Sequence, residues 1–169
     1  LPVIEAIQNE RLPIAISIDT SKASVAREAI AQGATIINDI TALGDPEMAN
    51  VAAETGAALI LMHMRGTPQT MQEGPIEYTD LFDEIVGFLS AAIERAAQAG
   101  GSRNRILVDP GIGFGKSLEH NLALLSAGRS VVPNERMPLL WGVSRKSMFQ
   151  HLLGREDTSD RLSGSLGIA

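Results

Sequence analysis

Five apolar runs, each followed by a helix-like stretch, constrain this fold more than any other feature of the chain. They occupy residues 14–18, 35–37, 57–62, 106–108 and 138–143. Each reads as a near-continuous apolar run, the pattern of a parallel strand buried on both faces. The clearest helix between them covers residues 78–99, where Leu81, Phe82, Ile85, Leu89, Ala92, Ile93 and Ala96 repeat at helical spacing. Strand and helix alternate five times, which predicts an α/β fold with a parallel sheet. A closed (β/α)8 barrel typically needs about 250 residues. Five units in 169 residues match its unit size and leave three units absent. An open doubly wound sheet is also compatible with the local pattern.

The other elements follow from punctuation. Residues 1–11 read as the end of a helix. Ser21 is placed to cap a helix over residues 22–32, and Gly33 stops it. Short helices are expected over 46–55, 118–128 and 144–153, and another begins near Asp160. The loop 65–77 carries Gly66, Pro68, Gly74 and Pro75, and loops of such length in compact domains are often functional. The chain opens at Leu1, not Met, and closes over 162–169 on an apolar helical pattern without a stop signal. Both ends are therefore expected to be cut, and residues 1–169 to be a single, partial domain.

Composition excludes several classes of function. A net charge of −6 argues against a nucleic-acid or anionic-membrane surface. No apolar run approaches the roughly 20 residues of a membrane span. With no cysteine, thiolate chemistry and disulfides are absent, which fits a cytoplasmic protein. His63, His120 and His151 lack metal-site spacing.

Chemistry gathers at the strand ends. The fourth run leads into Asp109-Pro110-Gly111-Ile112-Gly113-Phe114-Gly115-Lys116, a carboxylate followed by a glycine-rich turn. Pro110 breaks the Walker A spacing, and the glycines run G-x-G-x-G rather than the dinucleotide pattern. The other runs end in Asp19, Asn38, Met62-His63-Met64 and Ser144-Arg145-Lys146. In a parallel sheet these ends share one side. Two carboxylates, an amide and an ammonium are costly to gather in one cavity unless a ligand pairs with them. They suit a flat polar heterocycle, because carboxylate and amide accept from ring N–H and amino groups while lysine donates to a carbonyl or ring nitrogen. Blander readings stand beside these. Taken alone, Asp19 reads first as a helix cap, Asp39 as structural, His63 as a hydrogen-bonded core residue, Met62 and Met64 as packing, and Lys116 as a solvated helix-start residue. Lys146, in a first helical turn, is poorly placed for the helix dipole, which favours a functional role.

On these residues the chain resembles the dihydropteroate synthase family. The motifs are Ile18-Asp19-Thr20, Ile36-Ile37-Asn38-Asp39-Ile40, Leu61-Met62-His63-Met64-Arg65-Gly66-Thr67-Pro68, the Asp109 to Lys116 stretch and Gly142-Val143-Ser144-Arg145-Lys146-Ser147. The last two are specific; the first two are shared with other pterin-binding barrels. The resemblance covers essentially the whole chain. It implies a pterin-binding (β/α)8 TIM barrel, truncated here to about five βα units and lacking the first two strands and the last. It implies a transferase of folate biosynthesis that joins 6-hydroxymethyl-7,8-dihydropterin diphosphate to 4-aminobenzoate, giving 7,8-dihydropteroate and diphosphate. Carried over, Asp109 and Asn38 hold the amino and ring N–H edge of the pterin. Asp19 binds it and favours the cation formed on loss of diphosphate. Lys146 bonds its carbonyl and ring nitrogen, so Asp19 and Lys146 are the catalytic candidates. Ile40, Met62, Phe114 and Gly142 form the apolar walls. Phe114, Ser144 and Lys146 border the 4-aminobenzoate position, where sulfonamides should compete. The resemblance also implies Mg²⁺, with its ligand outside this chain, a possible homodimer and a cytoplasmic location.

The strands lacking here carry most of the family's diphosphate and second-substrate contacts, so the isolated chain is expected to be inactive and unstable. Two other readings compete. One is a pterin-dependent methyltransferase domain of the corrinoid type, against which Ser144-Arg145-Lys146 and Phe114-Gly115-Lys116 speak. The other is a non-catalytic pterin-binding remnant.

Overall fold

The computed structural model of the chain describes residues 2–71, 74–154 and 156–168. Leu1, Gln72, Glu73, Arg155 and Ala169, which fall within the predicted terminal helices and two loops, lie outside the described residues. Four parallel strands form one sheet: β1 (Ser17–Asp19), β2 (Ile36–Asp39), β3 (Ala58–Met62) and β4 (Ile106–Asp109). Their order in the sheet is their order in the chain. A doubly wound sheet reverses its order at a switch point, whereas a βα barrel adds each strand beside the last. The sequential order therefore decides for the barrel arrangement.

Helices fill the connections. They are α1 (Pro2–Asn9), α2 (Ala23–Ala31), α3 (Met48–Thr55), α4 (Leu81–Gln98), α5 (Leu118–Ala127), α6 (Met148–Leu153) and α7 (Leu162–Ile168). Helix α4 buries Leu81, Ile85, Leu89, Ala92, Ile93 and Ala96 on one face, the stripe expected from its periodicity. Asp80 caps it, accepting from the backbone N–H groups of Phe82 and Asp83 at 3.0 Å each, an arrangement worth about 1 kcal/mol.

Strand register sorts side chains onto two faces. Asp19 aligns with Asn38, Asn38 with Ile60, and Met62 with Asp109. Because the side-chain period is two, Ser17, Asp19, Ile36, Asn38, Ile60, Met62, Leu107 and Asp109 share one face. The opposite face carries Ile37, Leu59, Leu61, Ile106 and Val108, which pack with Ile85, Leu89 and Ile93 of α4 in the main core. Asp39 lies on that helix-facing side and is structural, as expected. It is fully buried, and its carboxylate accepts from the Thr41 N–H and hydroxyl and from the Leu43 N–H. Those bonds hold Ala42 and Leu43 at positive φ, of 49° and 71°. The turn leaving β2 is thus shaped by a carboxylate rather than by glycine.

Three expectations need correction. The fifth apolar run does not become a full strand. Its only strand-like pairing among the described residues is one parallel bridge between Val108 and Leu139, where Val108 donates to the Pro138 carbonyl and Leu140 donates to Val108. Pro138 cannot donate and Gly142 brings no side chain to pack, so pairing stops after one register position. Ser21 is not the cap of α2. Lys22 occupies that position with no side-chain bond, and the Ala23 N–H instead donates to Asp45 Oδ2 at 2.8 Å. The helix expected over 144–153 begins at Met148, which leaves residues 144–147 as a turn.

Candidate functional site

The C-terminal strand ends open onto a cavity of about 550 Å³. The residues that the family resemblance assigns to substrate border it: Asp19, Asn38, Ile40, Met62, Asp109, Phe114, Gly142, Ser144 and Lys146. His63, Met64 and Arg145, also at strand ends, do not. Register explains the first group, since Asp19, Asn38, Met62 and Asp109 occupy the same face near successive strand ends. Leu140, Trp141, Leu162 and Leu166 extend the wall. The volume lies within the range typical of small-molecule sites, and the lining is mostly apolar with few polar groups.

Asp19 is solvent-exposed and is not a helix cap. Its Oδ2 accepts from Asn38 Nδ2 at 3.4 Å. Asp109 is different, being only 5% exposed. Its Oδ1 accepts from the Gly111 N–H at 2.7 Å, which folds the glycine turn back over the strand end. A Cβ on Gly142 would sit 3.2 Å from Asp109 Oδ2, so a glycine there leaves room beside the carboxylate. Burial pushes the Asp109 carboxyl up, while its bond to Gly111 and the nearby Lys146 and Lys116 ammoniums pull it down.

Lys146 is half-buried, with Nζ 4.0 Å from the centroid of the Phe114 ring. Burial lowers its pKa, and Asp109 partly restores it. Its aim depends on Arg145, a non-glycine residue at φ 51°. That backbone costs energy and persists where neighbours enforce it. Here the Arg145 N–H donates to Ser165 Oγ at 2.7 Å, and the Arg145 carbonyl accepts from Arg161 at 3.4 Å. Both partners come from the C-terminal segment around α7.

The glycine turn is pinned from several sides. Gly113 donates to Asn121 Oδ1 at 2.8 Å, and the Tyr78 hydroxyl donates to the Gly115 carbonyl at 2.8 Å. Ser117 and His120 then form a reciprocal cap at the start of α5.

Lys116 is not the solvated helix-start residue expected. It is 4% exposed rather than solvated. Its Nζ bonds His63 Nδ1 at 2.9 Å, the Phe114 carbonyl at 3.1 Å and the His63 carbonyl at 3.4 Å. Burial drives its pKa down to about 7, opposed by Asp109 and reinforced by Lys146. His63 is a hydrogen-bonded core residue, as expected. Burial first, and the Lys116 charge second, lower its pKa to about 3, so the ring stays neutral. Arg161, Ser165, Asn121 and Tyr78 also escaped the sequence reading, because their partners are distant in the chain and carry no local pattern. Among the described residues, no helix is long and apolar enough to cross a membrane.

The chain is similar to known proteins over its whole length. The dihydropteroate synthase of Escherichia coli strain K12 is 48% identical over 169 residues, all of this chain and 58% of its own length. A crystal structure of the Yersinia pestis dihydropteroate synthase with a sulfonamide drug is 43% identical, with a TM-score of 0.92, covering 99% of this chain and 59% of that one. The Xanthomonas albilineans enzyme in complex with 7,8-dihydropteroate is 36% identical, with a TM-score of 0.87, covering 99% and 60% respectively. The chain thus spans somewhat over half the length of each of these three relatives. The family described as pterin binding enzyme matches residues 1–169. From its strand-end residues, its sheet order and this whole-length match, the chain belongs to the pterin binding enzyme family.

Proposed function

We propose that this chain supplies the pterin-binding part of a dihydropteroate synthase barrel whose remaining strands complete the enzyme. The observation that carries this is the convergence of Asp19, Asn38, Asp109 and Lys146 on one cavity with Ile40, Met62 and Phe114 as walls. The likeness to dihydropteroate synthases over the whole chain supports it. In this reading the pterin lies flat between the apolar walls. Asp109 and Asn38 accept from its amino and ring N–H edge, and Lys146 donates to its carbonyl and ring nitrogen. The bond from the pterin methylene to the diphosphate oxygen breaks, and its electron pair leaves with diphosphate. Asp19 offers negative charge to the cation left behind. The lone pair of the 4-aminobenzoate amine, placed near Phe114 and Ser144, forms the new C–N bond, and the amine then loses a proton. A sulfonamide would occupy the same position.

The Mg²⁺ that accompanies diphosphate in this reading takes its protein ligand from outside this chain. No group of three or more His, Cys, Asp or Glu side chains gathers at one place among the described residues. The same reading includes a cytoplasmic location and a homodimer.

A coupled assay on the full-length protein and on the isolated 169-residue chain tests the reading. With both substrates and Mg²⁺, the full-length protein releases dihydropteroate and diphosphate in equal amounts, and the isolated chain releases neither. Product from the isolated chain would show that the site needs nothing outside it. Methyl transfer by the full-length protein in place of condensation would replace the synthase reading.

A further inference from the structure

Lys116 has no role in the chemistry above, yet of the three lysines it is the one that is buried. An ammonium leaves water only where other groups replace its hydration. Three acceptors do so here: His63 Nδ1, the Phe114 carbonyl and the His63 carbonyl. They match the three donors of an ammonium. None is a carboxylate. The negative charge that Lys116 senses is that of Asp109, which in turn senses Lys146 as well. Asp109 and Lys116 meet at Gly111, whose N–H donates to Asp109 Oδ1 at 2.7 Å. Lys146 borders the cavity, while Lys116 is enclosed behind the glycine turn. The turn itself runs over the buried ammonium, since a Cβ on Gly111 would lie 3.4 Å from Lys116 Nζ. Phe114 is gripped twice, by Lys116 at its carbonyl and by Lys146 at its ring.

We propose that Lys116 is a positioning residue of the pterin site: its ammonium ties the Phe114 carbonyl to the end of β3 and supplies a buried positive charge that keeps Asp109 ionised toward the cavity. This rests on the pterin reading of the cavity. The groups that face this layer come from several elements. His63 follows β3, Asp109 ends β4 and Lys146 comes from the 144–147 turn. Tyr78 bonds the Gly115 carbonyl and meets the rings of His63 and His120. Arg65 packs its backbone and Cβ against Gly115. Of these, Asp109 is the group whose ionisation the pterin needs. The sign follows. Acid protonates Asp109 and releases pterin, and below about pH 7 Lys116 carries its charge. Removing that charge lets Asp109 protonate at higher pH, so pterin is released at higher pH.

The test uses the full-length protein with Lys116→Gln and Lys116→Met. The glutamine amide keeps a donor for the Phe114 carbonyl without the charge, which guards against a turn that fails to fold. Ser117→Ala loosens the adjacent helix cap with no change of charge and serves as the control for lost stability. The midpoint of the Asp109 carboxyl is followed by ¹³C NMR, and the pH dependence of pterin affinity by titration calorimetry with free pterin. In Lys116→Gln both midpoints rise by about one pH unit, the scale for loss of a neighbouring opposite charge, and Ser117→Ala moves neither. An unchanged Asp109 midpoint overturns the proposal. A raised midpoint with an unmoved pterin profile overturns the positioning role. Wild-type protein that binds no pterin defeats the functional reading beneath it, while the carboxyl midpoint still decides the electrostatic claim.

Discussion

Asp109→Asn lowers pterin affinity by at least about 100-fold, the equivalent of roughly 2.7 kcal/mol. The expectation follows from burial and charge. Asp109 is buried, and one of its oxygens already accepts from the Gly111 N–H. An asparagine carbonyl can keep that bond, so the turn survives. What disappears is the second acceptor and the negative charge. The amide would present N–H to a pterin edge that also presents N–H, leaving a buried donor unmatched, which costs about 1–3 kcal/mol. Lys146 and Lys116 would also lose their shared anion, and removing one member of a buried charge group is costly in its own right. Titration calorimetry with pterin measures the affinity, and circular dichroism establishes that the variant is folded. A folded variant with affinity within tenfold of wild type would remove Asp109 from the site.

Gly111→Ala destabilises the protein by about 3 kcal/mol or more, seen as a melting temperature lower by roughly 10 °C. Two independent effects combine. Gly111 has φ 74°, where a side chain costs about 1–2 kcal/mol. A Cβ would also lie 1.9 Å from the His63 carbonyl oxygen, which is backbone and cannot rotate aside. That carbonyl belongs to the segment where His63 donates its own N–H to the Asp109 carbonyl at 2.9 Å, continuing the pairing of β3 and β4. The turn must therefore lift away from the strand that carries Asp109, so pterin binding falls with stability. Gly87→Ala is the contrasting substitution. Gly87 lies inside α4 with no atom within 4 Å of an added Cβ. It should stabilise by about 0.5–1 kcal/mol. Equal melting temperatures for the two variants would contradict the close approach at Gly111.

Much of the site was legible because a strand carries its own coordinates. Once residues 35–37 and 106–108 are recognised as parallel strands, Asn38 and Asp109 must fall at their C-terminal ends. The period of two separates Asn38 from Asp39, and the structure places Asp39 among the helices, hydrogen-bonded to its own turn. Lys116 was illegible for the converse reason. Its burial depends on two carbonyls and an imidazole, and two of those three partners belong to His63, 53 residues earlier. The start of α2 departs from the expected Ser21 cap because its acceptor, Asp45, lies 22 residues beyond the helix start. The aim of Lys146 was hidden in the same way, since Ser165 and Arg161 hold Arg145 from the far end of the chain. The fifth run carried an apolar pattern that its proline and glycine do not let it use fully.

A crystal structure of the full-length protein with bound pterin tests the central claim most directly. The account predicts one pterin in the strand-end cavity, its amino edge on Asp109 and Asn38, its carbonyl on Lys146 and its faces between Met62 and Phe114. Another groove, lined by Ser90, Arg103, Arg136 and Pro138, precedes β4 and the fifth run and so lies at the opposite ends of the strands. Pterin bound there, or in the strand-end cavity without contact to Asp109, would contradict the account.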